Sequence, residues 1–85
     1  MKQQRPRVTL YTTRQCAYCR QAKALLQKLG VRFTEFDIER SRRAFMEFQR
    51  TEGRGVPLIV VGRHRLDGFD PGKIKRLLRR EGYDA

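Results

Sequence analysis

The sequence predicts an α/β fold: a four-stranded mixed sheet with three helices, in the order βαβαββα. Three observations carry this reading. Short alternating, β-branched stretches change places with segments whose apolar residues recur at helical spacing. The first two strand signals flank one helix signal, and a βαβ unit of that kind is parallel and right-handed. The last two strand signals are separated only by Gly62-Arg63, which makes them a hairpin. A sheet with a parallel pair and a hairpin is mixed, and helices pack on it. Pattern alone leaves the strand order open.

The elements follow in order. Residues 1–6 are polar and are expected to fray. Arg7-Val8-Thr9-Leu10-Tyr11-Thr12 alternates and is β-branched, a short strand. Over 17–29 the apolar residues Ala22, Leu25, Leu26 and Leu29 recur at helical spacing, and Gly30 stops that helix. Residues 31–38 alternate again and read as a second strand. Ser41 is a suitable N-cap for a helix over 42–51, with Phe45 and Phe48 turned inward and Gly53 at its end. Leu58-Ile59-Val60-Val61 is an unbroken apolar run, hence a central strand, and 64–66 forms the short strand after the turn. Asp70-Pro71 starts the last helix, with Asp as N-cap and Pro at the first helical position. Its buried stripe is Ile74, Leu77 and Leu78, and Gly82 ends it.

At 85 residues the chain is read as one domain, 1–85. The longest apolar run, Val56-Pro57-Leu58-Ile59-Val60-Val61, is far short of the roughly 20 residues of a membrane span. The start of the chain shows no apolar segment of the kind a secretory signal carries. A cytoplasmic protein without membrane association is therefore expected. Charge is the outstanding compositional feature. Twenty Lys and Arg, fifteen of them Arg, stand against nine Asp and Glu, for a net +11. No acid precedes Glu35. Such a balance raises nucleic acid, anionic membrane or acidic protein as partners without choosing among them. The densest cluster, Lys73-Ile74-Lys75-Arg76-Leu77-Leu78-Arg79-Arg80, reads as an apolar stripe with a solvated basic outer face. No nucleic-acid-binding signature accompanies it, so nucleic acid is not an expected partner.

The chemistry rests on Cys16 and Cys19, the chain's two cysteines. A C-x-x-C pair of this kind is a redox pair or half of a metal site. A zinc site needs four ligands, and His64 alone joins the two cysteines, so no metal site is expected within one chain. His64 itself reads as a hairpin surface residue. Cys16 falls between the first strand and the first helix, at the helix N-terminus. Unpaired N–H groups and the helix dipole stabilise a thiolate there, which lowers its pKa. Arg14, Arg20 and Lys23 are expected to add to the effect. Cys19 lies one turn on, close enough to attack a mixed disulfide formed on Cys16. Cys16 is then the exposed nucleophile and Cys19 the buried resolving thiol.

Several segments carry a family resemblance. Tyr11-Thr12-Thr13-Arg14-Gln15-Cys16-Ala17-Tyr18-Cys19, then Ala22-Lys23-Ala24-Leu25-Leu26 and Gly30-Val31-Arg32-Phe33, resemble the start of a glutaredoxin. Gly55-Val56-Pro57-Leu58-Ile59 is similar to that family's Thr-Val-Pro segment, and Leu66-Asp67-Gly68-Phe69-Asp70 to its Gly-Gly-plus-acidic segment. The resemblance implies a thioredoxin-like fold, with the first strand between the second and third and the hairpin strand at an edge. It implies a cis bond before Pro57, and Val56 backbone groups that pair with a bound peptide or glutathione. It implies that Tyr18 shields the cysteines and contacts the ligand, and that Gly68, Phe69 and Asp70 border the binding site. The activity implied is reduction of protein disulfides or glutathione mixed disulfides by a monomer. Glutathione would be a co-substrate rather than a bound cofactor, and the partners would be disulfide-containing proteins and a reductase; the basic charge around the cysteines would draw acidic proteins among them.

Three positions depart from the family pattern. Ala17 replaces the usual active-site proline. Thr13 stands where a lysine often binds a glutathione carboxylate, a task for which Arg14 or Arg54 could substitute. Gly68-Phe69-Asp70-Pro71 is similar instead to the redoxins that serve ribonucleotide reductase and draw on thioredoxin reductase, although those typically carry Gln where Tyr18 stands. Asp70 is either available to a ligand or engaged as the helix cap. Some relatives of this type carry an iron–sulfur cluster between two chains. Their smaller residue in place of Tyr18 makes that function an unfavoured alternative.

Overall fold

The computed structural model describes residues 5–85. Its elements are β1 (Val8–Thr12), α1 (Ala17–Lys28), β2 (Thr34–Asp37), α2 (Arg42–Arg50), β3 (Leu58–Val61), β4 (His64–Asp67) and α3 (Pro71–Arg80). The order βαβαββα is the predicted one. The four strands form one mixed sheet, β2-β1-β3-β4. β1 runs parallel to β2 and antiparallel to β3, and β3 pairs antiparallel with β4.

Side-chain alternation explains the layers. On one face, Val8 and Leu10 of β1 and Ile59 and Val61 of β3 pack against Ala22 and Leu26 of α1 and Ile74 and Leu78 of α3. On the other, Tyr11 and Leu58 pack against Phe48 of α2, with Val60 half-buried beside them. β3 is thus covered on both faces, which is why its sequence shows no polar alternation.

Two helices end in the same way, and each ending accounts for a boundary. Gly30, at φ +72°, follows α1; its N–H bonds to Gln27 O at 3.1 Å and the Val31 N–H to Leu26 O at 3.0 Å. Gly82, at φ +96°, follows α3; its N–H bonds to Arg79 O at 3.1 Å and the Tyr83 N–H to Leu78 O at 2.9 Å. This paired-bond C-terminal motif satisfies carbonyls that the helix leaves open, and it needs the left-handed residue that glycine supplies. It also corrects the expected start of the second strand. Val31 is buried, but its N–H caps α1 instead of joining the ladder, and β2 begins only at Thr34.

α2 brings two further corrections. Phe45, expected inward, is 41% exposed, while Ala44 and Phe48 face the sheet. The i, i+4 pair sets the buried face, and Phe45 lies about 100° around the helix from Ala44. The left-handed residue after α2 is Glu52, at φ +60°, not Gly53. Gly53 meets a different demand: a Cβ there would stand 2.7 Å from Leu58 Cδ2.

Of residues 1–6, 1–4 lie outside the described ones. Arg5 and Pro6 are held against the far end of the chain. Arg5 Nε donates to Gly82 O at 3.0 Å, its guanidinium sits 5.4 Å from the Tyr83 ring centroid, and the Tyr83 hydroxyl donates to Pro6 O at 2.5 Å.

Candidate active site

The site forms at one end of the sheet, where β1 leads out to Cys16 and the segment 55–57 leads into β3. Tyr11 pairs with Leu58, so Thr12 and Pro57 emerge side by side. Cys16 is the N-cap of α1, with extended backbone at φ −127° and ψ 104°. Its Sγ accepts the Cys19 N–H at 3.1 Å, the place an Asp or Ser oxygen takes at other helix starts. The two sulfurs are joined in a disulfide, with Cα atoms 5.1 Å apart. Cys16 is half-buried, whereas Cys19 is only 2% exposed. In the reduced chain, a Cys16 thiolate in this position would accept that same first-turn N–H, an interaction that favours the charged form.

Around the pair, Tyr18 and Phe69 stack with ring centroids 6.3 Å apart and 22° between planes. Tyr18 is 62% exposed, and Phe69 is half-buried against the α1/α3 core. The Val56–Pro57 bond is cis, the isomer the resemblance implies. Pro57 is buried and its carbonyl accepts the Gly68 N–H at 2.9 Å, tying the segment before β3 to the junction before α3. Val56 is half-buried, and among the described residues no loop hydrogen bond uses its backbone.

Asp70 caps α3: its Oδ1 accepts the Lys73 N–H at 3.1 Å. Arg14 is exposed in the turn before Cys16. Arg54 is exposed too, its backbone N–H reaches Asp67 Oδ1 at 3.4 Å, and among the described residues no hydrogen bond or ion pair joins its side chain to the cysteines.

Two features were not foreseen in the sequence. The first is a polar link between Lys23, Glu35 and Thr12. Lys23 Nζ lies 2.9 Å from Glu35 Oε1, and the buried Thr12 hydroxyl donates to Glu35 Oε2 at 3.0 Å. Lys23, expected to reinforce the Cys16 thiolate, is therefore engaged by a carboxylate. The one signal for it was that Glu35 is the first acid in the chain. The second is the Tyr18–Phe69 pair, whose members are 51 positions apart and meet only through the topology. Among the described residues no cluster of three His, Cys, Asp or Glu could hold a metal ion. Among the same residues no helix is long and apolar enough to cross a membrane.

Residues 8–66 match the family model for glutaredoxin. A glutaredoxin of Neisseria meningitidis is 39% identical over 80 residues, covering 92% of each chain. The chain belongs to the glutaredoxin family. Among solved structures, the thioredoxin-like protein BC3987 superposes with a TM-score of 0.81 at 25% identity, covering 85% of this chain and 100% of that one. The glutaredoxin-like protein NrdH-redoxin from Escherichia coli, described as having a thioredoxin-like activity profile, superposes with a TM-score of 0.73 at 28% identity, covering 84% and 93%. This glutaredoxin thus has the thioredoxin-like fold, and its Cys16-Cys19 pair marks it as a thiol–disulfide oxidoreductase.

Proposed function

We propose that this glutaredoxin reduces protein disulfides and glutathione mixed disulfides, with Cys16 as nucleophile, Cys19 as resolving thiol and glutathione as its reductant. The observation that carries the assignment of roles is Cys16 Sγ on the Cys19 N–H at the start of α1, with Cys19 buried behind it. In the forward reaction, the Cys16 thiolate attacks one sulfur of the target disulfide. The Cys16–target bond forms, the target S–S bond breaks, and the released thiolate takes up a proton. Cys19 then loses its proton and attacks the Cys16 sulfur, freeing the second target thiol and leaving the Cys16–Cys19 disulfide. Two glutathione molecules restore the dithiol and leave as glutathione disulfide. The backbone of Val56 is suited to pair with the bound peptide, and Tyr18 and Phe69 offer it an aromatic wall. Cys16→Ser is expected to abolish all turnover. Cys19→Ser should keep reduction of a glutathionylated peptide and lose most reduction of an intramolecular protein disulfide. Undiminished activity in Cys16→Ser would reject the assignment.

A second reading concerns the reductant alone. Asp70 is committed to the α3 cap and Pro71 has no N–H, so the junction offers a glutathione backbone less than a paired acidic segment would. That observation stands on the side of thioredoxin reductase, whereas Tyr18, where those redoxins typically carry Gln, supports glutathione. Turnover with glutathione plus glutathione reductase, set against turnover with thioredoxin reductase, separates the two. Negligible rates with both would undo the enzymatic reading itself.

A further inference from the structure

The basic helix α3 is not used by the chemistry above. Lys73, Arg76 and Arg80 follow one another at i, i+3 and i+7, on one side of the helix. They line a groove of about 400 Å³ between α3 and the edge strand β4, whose aliphatic lining is Leu66 and Leu77. No acidic side chain lines it. His64 and Arg65 of β4 also line it, and each already faces a neighbouring acid, Glu81 at 3.3 Å and Asp67 at 3.9 Å, while Asp70 caps α3. Among the described residues, Lys73, Arg76 and Arg80 make no ion pair. β4 pairs only with β3, so the groove lies along an open sheet edge.

Position links this groove to the redox site. Phe69, stacked on Tyr18, lies four residues before Lys73, and Gly68 is bonded to Pro57 beside the cysteines. From Lys73 to Arg80 the helix rises about 10 Å, which an extended peptide spans in three or four residues. Successive cations are separated by rises of about 4.5 and 6 Å, against roughly 7 Å between alternate side chains of an extended segment, a difference that long Lys and Arg side chains can take up, and a segment laid along them would end near Cys16.

We propose that this groove docks an extended acidic segment of the disulfide-bearing partner protein, with carboxylates facing Lys73, Arg76 and Arg80 and an apolar side chain on Leu66 and Leu77. This rests on the disulfide-reducing function proposed above and gives its protein substrate a chemical class. The aliphatic floor favours a peptide over a single-stranded nucleic acid, whose bases would seek a stacking platform, because the lining holds no Phe, Tyr or Trp and its one ring, His64, faces Glu81.

The test uses two synthetic peptides with the same intramolecular disulfide. One continues in an extended Glu-Leu-Glu-Leu-Glu tail and the other in Gln-Leu-Gln-Leu-Gln. Single-turnover reduction by the wild type should be about tenfold faster for the acidic peptide, as expected for three exposed charge pairs. The preference should vanish in the exposed triple variant Lys73→Gln/Arg76→Gln/Arg80→Gln and at 1 M salt, where screening acts over about 3 Å. Equal, measurable rates for the two peptides, or a preference that survives in the triple variant, overturns the proposal. A cysteine-free, dye-labelled acidic tail separates docking from chemistry. Anisotropy that saturates with wild type and not with the triple variant upholds the groove, even if neither disulfide is reduced and the redox assignment falls. No binding of that tail rejects the groove whatever the enzyme's activity. Displacement of the tail by a short RNA or DNA duplex at lower concentration than unlabelled tail also overturns it, in favour of a nucleic-acid surface.

Discussion

Tyr11 shows how one side chain couples to the sheet beneath it. It is 5% exposed and lies between Phe36 and Phe48, with ring centroids 5.7 Å from each. Burial first, and the negative charge of Glu47 second, push its hydroxyl above the ordinary value of 10.0. The unfolded chain releases this proton near pH 10, and the folded chain releases it only at higher pH. The corresponding stability is whole below pH 10 and is lost as pH rises from there through the folded value. Tyr11→Phe should therefore lose less stability than wild type between pH 9 and pH 11. Urea midpoints at the two pH values check this, and identical pH slopes would contradict it. At the same scale, Gly53→Ala forces a methyl to within 2.7 Å of Leu58 Cδ2 and should cost about 1–3 kcal/mol, read from the urea midpoint.

At the scale of the element, α3 and the cap that follows it present two glycine positions with opposite requirements. Gly82 holds φ +96° in the cap, and Gly82→Ala should destabilise by roughly 1–2 kcal/mol. Gly72 lies in the first turn, where an added Cβ meets nothing closer than 3.6 Å. Gly72→Ala should stabilise by about 0.4–1 kcal/mol, because it narrows the unfolded ensemble. Thermal melts of the pair test both signs. Elements were also what the sequence displayed best. The caps Ser41 and Asp70, the stop at Gly30 and the two-faced strand Leu58–Val61 are local signals, and each stands where the pattern placed it. What escaped was set by competition or by partners distant in sequence. Val31 alternates like a strand residue but gives its N–H to the α1 cap. Phe45 satisfies i, i+3 with Phe48, yet Ala44 decides which side meets the sheet. Cys16 and Cys19 were legible from spacing and the strand before them, whereas Lys23 on α1 meets Glu35 on β2, a pairing that the position of Glu35 as first acid did not by itself reveal.

Across the whole molecule, strand order was readable only through the family resemblance, since pattern carries no long-range pairing. The contact between the two ends of the described chain was not readable at all: nothing near Pro6 announces Tyr83. Its hydroxyl bond to the Pro6 carbonyl spans 77 positions and joins the segment entering β1 to the segment leaving α3. Tyr83→Phe should lower stability by about 1 kcal/mol. It should also raise amide exchange at residues 81–85 more than at the β3 amides, and uniform protection in the variant would refute the link. This closeness has an engineering consequence. Arg5 and Gly82 are in hydrogen-bond contact, so a few residues of linker suffice to fuse tail to head. The chain can then be reopened at the exposed Gly62-Arg63 turn, where no helix is cut. Such a circular permutant would keep the cysteine pair and the cis-proline segment continuous while moving the new ends to the β3–β4 hairpin, a place to attach a reporter without crossing the redox end.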